Sequence, residues 1–100
     1  MESFGTLLRN LRVLYFVKQE SLAFDLGCTE AAVSLWEADQ RLPSTHLLAE
    51  LVAQLVKMQV PTDKIQELLD AYSLALTSRR TSQRLCAMLR RHAISSVLRP

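Results

Sequence analysis

The side chains best suited to metal or nucleophilic chemistry in this chain are two histidines and two cysteines, and their spacing argues against both chemistries. His46 and His92 lie far apart in the sequence, whereas a metal site needs its ligands gathered. Cys28 and Cys86 have no CxxC spacing, and Cys86 stands six residues from His92, a poor ligand pair on a helix. A free cysteine without such partners is commonly a small buried hydrophobe. There is no glycine-rich phosphate loop and no serine, histidine and acid grouped near a recognisable turn. No metal, cofactor or catalytic residue is therefore expected. A 100-residue chain also offers little depth for a catalytic pocket.

Charge is more informative. The formal net charge is only +2, from 12 Lys and Arg against 10 Asp and Glu. All of the acids fall between Glu2 and Asp70, whereas Arg79, Arg80, Arg84, Arg90, Arg91 and Arg99 follow with no acid among them. A basic tail on an acidic body points to polyanion contact, or to a solvated helix face. No secretory leader is visible. The longest apolar run, Leu47 to Met58, is broken by Glu50, Gln54 and Lys57, so no membrane partner is expected. The expected compartment is the cytoplasm, with both thiols free.

The elements that must position these residues are helical. Leu and Ala dominate and favour helix, and 2 Gly and 3 Pro leave little material for hairpins. Phe4, Leu7, Leu8, Leu11 and Tyr15 recur at helical spacing after Ser3, a good N-cap. A short second helix over 19–26 carries Leu22, Ala23 and Leu26. Gly27 follows where a left-handed residue is wanted, and Thr29 caps a third helix containing Val33 and Trp36. Two short helices joined by such a turn form a helix-turn-helix layout. Pro43 bars continuation, and Ser44 caps a fourth helix with Leu47, Leu48, Leu51, Leu55 and Met58 inward. Pro61 stands near the start of a fifth, striped by Ile65, Leu68, Leu69, Tyr72 and Leu76. The polar run Thr77–Ser82 reads as a joint. A sixth helix would then carry Leu85, Met88, Leu89, Ile94, Val97 and Leu98.

Across roughly residues 4–58 these pieces resemble the Cro/XRE (phage-repressor) helix-turn-helix family. The matching blocks, without gaps, are Gln19-Glu20-Ser21-Leu22-Ala23, Leu26-Gly27-Cys28-Thr29, Val33-Ser34-Leu35-Trp36-Glu37 and Arg41-Leu42-Pro43-Ser44. The resemblance implies an all-α, five-helix lambda-repressor-like domain over residues 1–76, with the motif at about 18–37. A basic C-terminal segment, 77–100, follows as the additional helix.

The resemblance also implies roles. Arg12 and Glu37 fall where the family often has a partly buried ion pair, Trp36 in the core, and Gly27 in the turn. Lys18, Gln19, Thr29, Glu30, Ala31, Ser34, Leu35 and Arg41 fall on the DNA-facing side. Arg79, Arg80, Arg84, Arg90 and Arg91 are candidate phosphate contacts. The third helix lacks the Arg, Lys, Asn and Gln that read guanine and adenine. Glu30 can accept from cytosine, and Ala31 or Leu35 can meet a thymine methyl. Two departures stand out. Lys18 replaces a frequent Ser or Thr cap and opposes the helix dipole. Ala38-Asp39 replaces a frequent x-Gly pair, and Asp tolerates the left-handed region less well.

Two functions follow as expectations. One is a DNA-binding transcriptional regulator, a homodimer on a near-palindromic site in double-stranded DNA. The other keeps the fold but binds a protein partner, antitoxin-like or polymerase-binding, through Ala31, Ala32 and Leu35.

Overall fold

The structure, a computed structural model, describes residues 2–79. They are all-α: α1 (Phe4–Leu14), α2 (Gln19–Leu26), α3 (Glu30–Glu37), α4 (Thr45–Lys57) and a fifth helix, α5, from 62 to 79. None of these helices is long and apolar enough to cross a membrane.

Three helices start where a short hydroxyl side chain takes a free N–H. Ser3 accepts from Thr6, Thr29 from Ala32 and Ser44 from Leu47, each worth about 1 kcal/mol. Lys18 stands at the equivalent place before α2 and makes no cap bond. At α5 the Pro61 carbonyl takes the N–H groups of Lys64 and Ile65.

The first four helices end alike. A left-handed residue follows the last turn: Phe16, Gly27, Asp39 and Gln59. Its N–H reaches the carbonyl three residues back, and the next residue's N–H reaches five back. The longer links are Val17 to Arg12, Cys28 to Ala23, Gln40 to Leu35 and Val60 to Leu55. This double closure satisfies carbonyls that would otherwise be orphaned. Only Gly27 adopts the conformation without strain; at the others a Cβ costs about 1 kcal/mol.

The core gathers one face of every helix. Phe4, Leu8 and Leu11 of α1 meet Leu22, Ala23 and Leu26 of α2 and Val33 and Trp36 of α3. Leu51, Leu55, Val60, Ile65, Leu68 and Ala71 complete it. Leu7, Tyr15, Leu47, Leu48, Met58, Leu69 and Tyr72, expected inward, are half-buried around its edge. Trp36, 2% exposed, is its largest fully buried side chain. The Tyr72 ring packs edge-on to Phe4 at 5.7 Å, and its hydroxyl donates to the Pro43 carbonyl. The two contacts tie α5 to the start of α1 and to the loop before α4.

Two features were not expected. The joint expected at Thr77–Ser82 does not begin before residue 80, because α5 passes through 76 and stays helical to 79. Thr77 is accommodated by donating its hydroxyl to the Ser73 carbonyl one turn back. The rest of that joint, the sixth helix, and Arg80, Arg84, Arg90 and Arg91 lie outside the described residues.

The second is the junction of α1 with the end of α3. Asp39 accepts from the Gly5 N–H at 2.9 Å and from the Ser3 hydroxyl at 2.6 Å. A carboxylate therefore sits at the positive end of α1. A Cβ on Gly5 would fall on the Trp36 and Glu37 carbonyl oxygens. Glycine lets the two backbones meet.

The left-handed positions separate two effects. Gln59→Gly should stabilise the fold by about 0.5–1 kcal/mol through relief of strain. Asp39→Gly should instead destabilise it by about 1 kcal/mol net, because the two charge-assisted hydrogen bonds from Ser3 and Gly5 are lost and outweigh the strain relieved. Urea unfolding of both variants checks the opposite signs.

Candidate nucleic-acid interface

The exposed side of α3 is set by what its other side must bury. Val33 and Trp36 point into the core at 0% and 2% exposure. The helical period then turns Thr29, Glu30, Ala31 and Ser34 outward, and all four are exposed. Leu35, expected on the same outward face, is half-buried. After α3 the chain folds back on this residue, and the N–H groups of Gln40 and Arg41 both donate to its carbonyl. Ala32 is half-buried against the core.

Beneath this face lies a polar knot. Arg12 Nε donates to Glu37 Oε2 at 2.7 Å, and a terminal nitrogen donates to Oε1 at 3.0 Å. The planar guanidinium thus meets the carboxylate through two parallel bonds. The side chains are only 14% and 5% exposed. The hydrogen bond to Glu37 raises the Arg12 pKa above its ordinary value, against the opposing pull of burial. A further Arg12 nitrogen donates to the Val17 carbonyl at 3.0 Å, which holds the α1–α2 connector. Gln19 donates its amide to Glu37 Oε1 at 3.1 Å. One carboxylate at the end of α3 therefore holds α1 directly and α2 through Gln19. Gln19, expected to touch DNA, is half-buried and commits one amide hydrogen to this knot.

An open cleft of about 540 Å³ runs over the knot. Arg9, Lys18, Gln19, Glu30 and Ser34 line it together with Arg12 and Glu37. Lys18 and Arg9 are exposed, so the cleft holds two solvent-facing cations beside the outward face of α3. Arg9 was missed by sequence reasoning. Its signal was its position three residues before Arg12, on the same face of α1.

Not every expected residue joins this cleft. Arg41 lines a separate one, of about 480 Å³, with Ser44, Thr45, Tyr72 and Arg79. Arg79 donates to the Asp39 carbonyl at 3.0 Å. Gly27, at φ +70°, serves only the turn, since a Cβ there would meet open space. Cys28 is half-buried rather than fully buried, and desolvation raises its thiol pKa. Among the described residues no three His, Cys, Asp or Glu side chains group to hold a metal.

Comparison with protein-family models, with curated proteins and with solved structures finds no match.

The knot makes a quantitative prediction. Glu37→Gln keeps the shape but leaves Arg12 a nearly buried cation without its counter-charge, at an expected cost of about 3 kcal/mol. Replacing both Arg12 and Glu37 with Met should cost markedly less. A thermal melt of the two variants would contradict this reading if the double change proved the more damaging.

Proposed function

We propose that this chain is a DNA-binding transcriptional regulator of the Cro/XRE type, with a lambda-repressor-like helix-turn-helix domain, working in the cytoplasm as a homodimer. In this reading α2, the Gly27 turn and α3 form the motif, and α3 enters the major groove. One observation carries it: Glu30 and Ser34, exposed on α3, line one cleft with Arg9 and Lys18, and Thr29 and Ala31 are exposed on the same helix start.

The roles follow from chemistry. Arg9 and Lys18 neutralise phosphates, which supplies most of the affinity. Thr29 and Ser34 bond phosphate oxygens or base edges. Glu30 accepts from a cytosine amino group, and Ala31 packs on a thymine methyl. Arg41 and Arg79, in the neighbouring cleft, reach phosphates further along the duplex. With no Arg, Lys, Asn or Gln on α3, readout leans on cytosine and thymine while its cations come from neighbouring elements. Two-fold pairing of chains presents two such faces to a near-palindromic site.

The rival reading, docking to a partner protein through Ala31, Ala32 and Leu35, is less well supported. Two of those residues are half-buried, which shrinks the patch on offer.

Titration onto a random duplex and onto the duplex upstream of the chain's own coding region, across a salt series, tests the proposal. Binding should weaken with a log–log slope of about −0.9 per phosphate neutralised. Arg9→Ala or Lys18→Ala should weaken both duplexes alike and reduce the slope by about one. Changes at Glu30 or Ala31 should alter preference by about 1–3 kcal/mol at a single base pair. Absence of binding to either duplex at low salt overturns the reading.

A further inference from the structure

Phe16 sits in the connector between α1 and α2, and the fold gains nothing from its side chain. The residue is 95% exposed, so its ring is not part of the core. Its backbone is left-handed at φ +59°, a region that a bulky side chain enters only under strain. The turn is closed by backbone bonds alone, from the Phe16 N–H to the Val13 carbonyl and from the Val17 N–H to the Arg12 carbonyl. Glycine would make both bonds without the strain. Strain that the fold does not repay collects where a surface meets a ligand.

Two neighbours extend the feature. Val13 and Leu14 are 56% and 68% exposed. Both line an open cleft of about 510 Å³ with Thr6, Arg9 and Glu37. Arg9 and Glu37 also line the cleft that holds Lys18 beside the α3 face, so the two clefts share a wall. The Glu37 charge in that wall is taken up by Arg12. Further along the connector, Val17 packs against the core, and Phe16 and Lys18 stand exposed on either side of it. Three large apolar side chains are thus exposed between two exposed cations, Arg9 and Lys18.

One strand of a duplex has the complementary pattern, because anionic phosphate alternates along it with the apolar face of deoxyribose. Contacts that position a protein on DNA fall on phosphates and sugars alike. The patch is continuous with the cleft beside α3, so a duplex docked on that cleft carries its backbone across the patch.

We infer that Phe16, flanked by Val13 and Leu14, is a DNA-backbone contact that packs on deoxyribose between phosphates held by Arg9 and Lys18. The inference rests on the duplex-binding reading above. It adds to that reading a source of affinity that carries no charge and reads no base. The strained backbone is what projects the ring.

Phe16→Gly removes the ring and the strain together. The full chain and this variant are melted, sized by sedimentation and titrated onto both duplexes across the salt series. The variant should melt a few degrees higher, keep the same mass in solution, and bind both duplexes about tenfold more weakly. Its log–log salt slope should stay unchanged, because no charge is lost; Lys18→Ala, by contrast, should lower the slope. Phe16→Asn, which also tolerates left-handed backbone, should lose the same affinity. Equal affinity before and after the change overturns the inference and leaves the duplex reading standing. A starting chain that binds neither duplex removes both. A variant that melts lower, or whose mass in solution falls, assigns the ring to the fold or to contact between copies, and overturns the inference too.

Discussion

The last turn of α3 and the residue pair after it, 36–39, are where this small fold is tied together. Trp36 fills the core with its ring, while its carbonyl and that of Glu37 press against Gly5 so closely that no side chain fits between them. Glu37 holds Arg12 and Gln19. Asp39 caps α1 with its carboxylate and takes Arg79 of α5 on its carbonyl. Four helices thus converge on one short stretch. A chain of this size buries a modest share of its surface, so polar contacts that set orientation matter alongside the apolar core. The buried pair is best understood as fixing direction, since its desolvation cost offsets much of its attraction.

Anchoring α3 at its C-terminal end leaves its N-terminal end as the presented surface. Thr29, Glu30, Ala31 and Ser34 are there because Val33 and Trp36 cannot be. α3 brings an acid and no cation, and the cleft beside it takes its exposed cations from α1 through Arg9 and from the α2 entry through Lys18. The lysine costs something as a helix cap, being unable to accept a backbone N–H. Its exposed ammonium at the cleft edge is what that position offers instead.

Much of this was legible in the chain. Ser3, Thr29 and Ser44 announce helix starts because a hydroxyl cap acts locally, and Gly27 announces a left-handed turn because only glycine does so freely. Leu22, Val33 and Trp36 declared the core by periodicity. The Arg12–Glu37 pair came from the resemblance to repressors, since nothing local links residues so far apart in sequence. Phe16 and Gln59 gave no sign of their left-handed conformation, because tertiary packing imposes it against their own preference. Asp39 read as a poor substitute for glycine, and proved to have a partner thirty-six residues away. Gly5 carried no signal of its role, because the backbone that requires it comes from the end of α3. Thr77 suggested a joint because its hydroxyl competes with helix in isolation, yet here it bonds within the helix.

The claim that α3 is held at Glu37 so as to present its opposite end is open to one direct measurement. Amide resonances of the full chain can be followed by NMR as a duplex bearing the preferred site is added. Shifts should concentrate at Thr29, Glu30, Ala31 and Ser34, and around Arg9 and Lys18, while Val33 and Trp36 change little. Shifts confined to other surfaces, with the α3 face silent at saturating duplex, would contradict it.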